Sequence, residues 1–197
     1  MGSRAKLIVG LTGGMGCGKS TAAAFFAEHG FLRVDSDEMV HELLVDSEVA
    51  EIVRAKFGDG FFGADGLVRR DLLGERVFSD PAALAWLEAE LHTRLYAQWR
   101  QLFAIKDSQA FIVEVPLLFE KGLENWFDFI VCVTTESDLQ LRRLEQKGIP
   151  PELAQQRLAK QLPLARKCEL ADHVLLNDGS PDFLREQVNA LADRLLN

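Results

Sequence analysis

Eight consecutive residues, Gly13-Gly14-Met15-Gly16-Cys17-Gly18-Lys19-Ser20, fit the pattern G-x-x-x-x-G-K-[ST]. Glycines at this density let backbone N–H groups turn inward around an anion, and a helix opening directly behind them adds its partial positive charge. In such a loop Lys19 reaches the β- and γ-phosphates of a nucleotide, and the Ser20 hydroxyl ligates Mg²⁺. Thr21 is placed to cap the helix and touch the α-phosphate. Cys17 lies beside the inward N–H groups, where a helix dipole lowers a thiol pKa. The plainer reading of Cys17 is a small residue at a variable loop position; protection of its thiol by ATP is a separate expectation.

Acids come next. Val34-Asp35-Ser36-Asp37 closes a short apolar run, and in open α/β sheets the carboxyl ends of strands beside the phosphate loop face the ligand crevice. Two acids at i and i+2 share a face if the strand persists. One can then orient an acceptor hydroxyl or take its proton, while the other holds a metal-bound water. Asp35 followed by Glu38 also fits a capping box, which makes a structural role for Asp35 the competing reading. Glu114 ends another apolar run and is read equally as a metal-organising acid or as a strand-end charge. Residues 139–171 carry Arg142, Arg143, Lys147, Arg157, Lys160, Arg166 and Lys167 against three glutamates, a basic surplus suited to a lid over transferring phosphate. Arg143 is the favoured contact; Arg142 and Lys160 are the first to assign to a solvated face. His29, His41 and His173 are read as structural or surface residues, and Trp86 and Trp99 as core.

These groups need a frame. Residues 6–12, 31–35, 110–115, 127–134 and 173–176 are short, nearly continuous apolar runs, as expected for strands covered on both faces of a parallel sheet. Residues 20–29 read as the helix behind the phosphate loop. Some 75 residues of helical spacing separate the second and third strands, including 39–44, 49–57 and 81 to about 106, too many for one crossover. They are read as an inserted helical subdomain over about 37–107. Residues 138–147 and 151–170 form the helical lid, and 181–195 a closing helix opened by Ser180 and Pro181. The core is expected over about 1–36, 108–137 and 171–197 of one domain.

Composition sets the bounds. The chain has 197 residues, 48% hydrophobic and 26% charged, which is ordinary globular usage. Its net charge is −8, and each half carries 15 acids and 11 bases, so neither half is a basic arm for nucleic acid or an anionic membrane. The opening Met1-Gly2-Ser3-Arg4-Ala5-Lys6 is too short and Gly-rich for a signal sequence, and Lys6 stands where a myristoylation signal needs Ser or Thr. Cys17, Cys132 and Cys168 show no disulfide or zinc spacing, which points to a reducing compartment, the cytoplasm. Oligomeric state stays open.

With these residues in view, the chain resembles the dephospho-CoA kinases. The likeness runs through GLTGGMGCGKST, VDSD, GLVRRDLLGERVFSDPAALAWLEAELH, VPLLFE, RRLEQKGIPPELAQQRLAKQLPLARKCELAD and LNDG. The resemblance implies an α/β phosphate-loop kinase core with a five-stranded parallel sheet, an inserted helical substrate subdomain and a helical lid. It implies ATP and Mg²⁺ as the partners of the loop and dephospho-CoA as acceptor through its ribose 3′-hydroxyl. By the same resemblance Asp37 is the base, Arg143 a lid phosphate contact, Asn177 and Gly179 part of the adenine-side loop, and Asp35, Arg70 and His92 substrate contacts. Thr93, Lys147, Ser36 and Glu114 depart from the family's usual residues; lysine keeps charge at 147 but lacks the planar fork of arginine.

Two other readings stand beside this one. Shikimate kinases also place acids after the second strand, but no G-G-G acceptor loop is present, and the adenylate kinases' D-G-F-P-R segment is absent. A nucleotide-dependent switch would use Asp71-Leu72-Leu73-Gly74 as D-x-x-G, yet no N-K-x-D follows.

Overall fold

The computed structural model describes residues 6–105 and 110–197. The opening segment before Lys6 and the expected end of the long helix near residue 106 lie outside the described residues. Along the chain run β1 (Leu7–Gly13), α1 (Lys19–Glu28), β2 (Leu32–Asp35), α2 (Ser36–Leu43), α3 (Ser47–Phe57), α4 (Arg70–Phe78) and α5 (Pro81–Phe103). There follow β3 (Ala110–Glu114), β4 (Phe129–Thr134), α6 (Ser137–Gln146), α7 (Pro151–Leu158), α8 (Leu164–Leu170), β5 (His173–Leu176) and α9 (Pro181–Leu196). The chain divides into two compact units, Met1–Asp35 with Ile105–Asn197, and Ser36–Ala104.

The first unit is built on a five-stranded sheet in the order β2-β3-β1-β4-β5, parallel at every pairing. Val9, Leu11, Ile112, Val131 and Val133 on one face and Phe111, Val113 and Cys132 on the other are fully buried, so the strands are covered on both faces, which is why they read as unbroken apolar runs. α1 packs against α9, and Phe26, Leu184 and Val188 close the core between them and the sheet. Three strands begin one or two residues later than their apolar runs. At β4 the reason is a 3₁₀ turn over Glu124–Trp126, whose Glu124 carbonyl takes the Phe127 N–H at 3.1 Å and keeps it out of the ladder.

The basic segment differs more. The single helix expected over 151–170 is two, because Pro163 lacks an N–H and disfavours helical backbone at the residue before it. The second piece, α8, packs on β4 and β1.

The second unit is helical. Asp80 caps α5 by accepting from the N–H groups of Ala82 at 3.0 Å and Ala83 at 3.2 Å, with Pro81 at the first position. Ala83, Leu87, Leu91, Leu95 and Trp99 recur every four residues and form the buried stripe of α5. Thr93 sits inside this 23-residue helix and donates its hydroxyl to the Ala89 carbonyl at 2.8 Å. Proline there would break a helix that Thr93 lets run on. α4, which the spacing does not single out, packs on α5, and so does α2. Among the described residues no helix is long and apolar enough to cross a membrane.

Candidate active site

β1 is the central strand, and its carboxyl end runs straight into the loop 13–18. Gly13 has φ 139°, and a Cβ there would collide with the Val133 backbone carbonyl of β4. Gly18, at φ 92°, forms the N-cap of α1 with no side-chain cap, so the expected capping role of Thr21 is not found. Thr21 lies inside the first turn of α1. The loop carbonyls are occupied one after another. Lys19 Nζ donates to Gly13 O at 3.2 Å and Gly14 O at 3.0 Å, and Cys17 N–H donates to Gly14 O at 3.2 Å. Gln140 Nε2 donates to Met15 O at 2.7 Å, and Asn177 Nδ2 to Cys17 O at 2.8 Å.

Cys17 is fully buried. Burial pushes its thiol above the ordinary value, outweighing the opposite pull of Lys19 and of the Gly14 and Thr135 backbone. The depressed pKa expected from the helix dipole is therefore corrected, because the side chain turns into the core and leaves the solvated mouth of the helix.

Arg143 on α6 is half-buried. It donates to Asn177 O at 3.0 Å and Thr135 Oγ1 at 3.4 Å, while Thr135 Oγ1 donates to the same Asn177 carbonyl at 3.1 Å. Asn177 thus holds the loop with its carboxamide and Arg143 with its carbonyl. One cavity of about 260 Å³ is lined by Gly16, Gly18, Thr21, Arg143, Gln146, Lys147, Asn177, Gly179 and Pro181. Six site residues named from sequence and resemblance (Gly16, Gly18, Thr21, Arg143, Asn177 and Gly179) therefore converge, and Lys147 joins them.

Lys167 belongs elsewhere than its place in the basic segment suggests. Its side chain is fully buried, with Nζ 2.8 Å from Glu120 Oε1 and donating to Pro116 O at 2.7 Å. Glu120 Oε1 also accepts from Leu162 N–H at 2.8 Å, and its other oxygen is buried without a partner.

The carboxylates separate. The strand ends at Asp35 and helix starts at Ser36, so the shared strand face inferred for Asp35 and Asp37 does not exist. Asp35 pairs in register with Glu114, which in turn pairs with Leu11, placing both acids at the carboxyl end of the sheet, where the loop begins. Glu114 is buried and held by Arg33, whose Nε and Nη2 both lie 2.8 Å from Glu114 Oε1. Asp37 stands in the first turn of α2, in the second unit. There Arg70 opens α4 and lines a cavity of about 530 Å³ with Glu38, His41, Glu42 and Arg69. His92 stacks on Tyr96 of α5, ring centroids 5.7 Å apart. The Asp71–Gly74 run is helical, and Asp71 is bound to Arg69 at 2.7 Å, which leaves no switch loop at the D-x-x-G match.

Sequence reasoning missed Gln140, Arg33 and the Lys167–Glu120 pair. Gln140 had a signal: it lies four residues before Leu144, on the side of α6 that is buried.

A parallel sheet with an anion-binding loop at the carboxyl end of its central strand, backed by a helix that brings arginine to that loop, defines a phosphate-loop kinase core. The sequence model of the CoaE family, the dephospho-CoA kinases, matches residues 7–182. A dephospho-CoA kinase of Thermosynechococcus vestitus is 39% identical over 186 residues, spanning 93% of this chain and 92% of that protein. Among solved structures, TT1252 from Thermus thermophilus superposes with a TM-score of 0.86 at 30% identity, over 97% of this chain and 98% of that one. The dephospho-CoA kinase from Campylobacter jejuni gives 0.67 at 26% identity, over 96% and 97%. The chain belongs to the dephospho-CoA kinase family.

Proposed function

We propose that the protein transfers the γ-phosphoryl group of ATP to the ribose 3′-hydroxyl of dephospho-CoA, giving coenzyme A and ADP in the cytoplasm. The observation that carries this reading is the single cavity shared by the phosphate loop, Arg143 and the Asn177–Gly179 turn, in a chain of this family. Backbone N–H groups and Lys19 receive the β- and γ-phosphates, and Arg143 offsets charge that spreads over the transferring group. Thr21, Asn177 and Gly179 line the nucleotide side. Ser20, exposed at the start of α1 beside Lys19, offers a hydroxyl oxygen that would ligate Mg²⁺, which would supply positive charge against the transferring phosphates.

Asp37 orients the acceptor hydroxyl and takes its proton late, because a loose transition state needs little base assistance. Asp35, Arg70 and His92 contribute to holding dephospho-CoA, with residues 37–107 as its subdomain and 138–170 as the lid. The test is ATP- and Mg²⁺-dependent CoA formation followed by mass spectrometry, with AMP, adenosine and shikimate as parallel acceptors. Selective CoA formation is expected. ATP binding with phosphorylation of another acceptor would overturn the assignment of substrate.

A further inference from the structure

The loop is shaped from outside as well as from its own glycines. A trans peptide directs its C=O and N–H to opposite sides. Whatever fixes the Met15 carbonyl therefore aims the Gly16 N–H the other way, and whatever fixes the Cys17 carbonyl aims the Gly18 N–H. Two side-chain carboxamides do this, Gln140 at 2.7 Å and Asn177 at 2.8 Å, from chain positions 125 and 160 residues distant. Gly16 and Gly18 are the two loop residues that line the cavity with Arg143. Gln140 is buried, only 6% exposed, and sits three residues before Arg143 on the same helix.

We infer that Gln140 is a positioning residue of the phosphate loop: its N–H donor locks the Met15 carbonyl outward and thereby presents the Gly16 N–H to the nucleotide phosphates. The inference rests on the proposed reading of the loop as an ATP site. It adds that α6 sets loop geometry and phosphate neutralisation together, since Gln140 and Arg143 move with one helix.

The test measures ADP affinity calorimetrically on the full chain with wild type, Gln140→Glu and Gln140→Met, at about pH 8 and about pH 5.5. Both substitutions remove the donor and leave a carbonyl acceptor unpaired, so ADP should bind roughly five- to a hundredfold more weakly at the higher pH. Gln140→Glu should recover toward wild type at the lower pH, where a protonated carboxyl donates again; Gln140→Met should not. The KM for ATP should rise with these losses, while the KM for dephospho-CoA stays unchanged. Wild-type-like ADP binding by Gln140→Met, which also decides the matter if Gln140→Glu fails to fold, would show that the side chain only fills space and overturn the inference. The same holds if the two variants respond identically to pH. A wild type that binds no ADP would instead bring down the ATP reading itself.

Discussion

Replacing Lys167 by Met tests a charge that is fully buried. The lysine side chain has no exposure and Glu120 only 17%, so neither is screened by water as a surface pair would be. Methionine keeps most of the aliphatic stem, which holds the cavity contribution small and isolates the loss of charge. Removing one partner of a buried pair leaves the other uncompensated, at a cost of about 3–5 kcal/mol. For a chain of this length that corresponds to a fall in Tm of roughly 6–20 °C. Thermal unfolding followed by circular dichroism at neutral pH reads the effect. The double variant Lys167→Met/Glu120→Gln should recover most of it, because Gln keeps an acceptor for the Leu162 N–H while both charges are gone; the remaining deficit, from the Pro116 carbonyl, should be about 1–2 kcal/mol. A single variant that melts with the wild type would refute the view that this pair ties the segment after β3 to α8.

Three further outcomes are expected. Asp37→Asn should lower kcat roughly a hundredfold, because the acceptor hydroxyl loses the carboxylate that orients it, with ATP binding nearly intact, and near wild-type turnover would remove Asp37 from the reaction. Cys17, buried and with its thiol pushed up, should resist alkylation in the native protein with or without ATP, whereas Cys168, which is partly exposed, labels first; rapid native labelling of Cys17 would contradict its burial. The Arg69 guanidinium hydrogen-bonded to Asp71 lowers that carboxyl to about 2, so the pair's contribution is present above the ordinary carboxylate range and lost as pH falls toward 2. An NMR titration should find this midpoint in the wild type and a return to near 4 in Arg69→Ala; a midpoint that stays low without Arg69 would assign the shift elsewhere.

What could be read from sequence was whatever lies in local spacing. The loop 13–20, the parallel strands and the capped start of α9 each announce themselves within a few residues, because glycine, β-branched runs and Ser-Pro pairs act locally. Asp35 and Asp37 show the limit of such reading. Their i, i+2 spacing carried the shared-face argument, but the strand turned to helix between them. The Pro163 break is legible in principle, yet it stands in a run of helix formers that masks it. Gln140, Arg33 and Lys167 act through partners tens of residues or more away, and no window on the sequence contains both ends of those contacts. Lys167 is instructive: counted among lid charges by position, it joins the VPLLFE and QLPLARK segments inside the core, its ammonium held by Glu120 and the Pro116 carbonyl.

Asn177 also bears on the order in which the protein is made. The loop emerges near the amino terminus, yet the carboxamide that holds its Cys17 carbonyl is 160 residues downstream, immediately after the last strand. At about 5–20 residues per second the ribosome takes roughly 8–30 s to supply it. During that interval a nascent chain has every residue of the phosphate motif but not the side chain that holds its Cys17 carbonyl. The hydrogen bonds that surround the loop are therefore completed by the folding of β5 and the turn after it, long after the loop itself has been made.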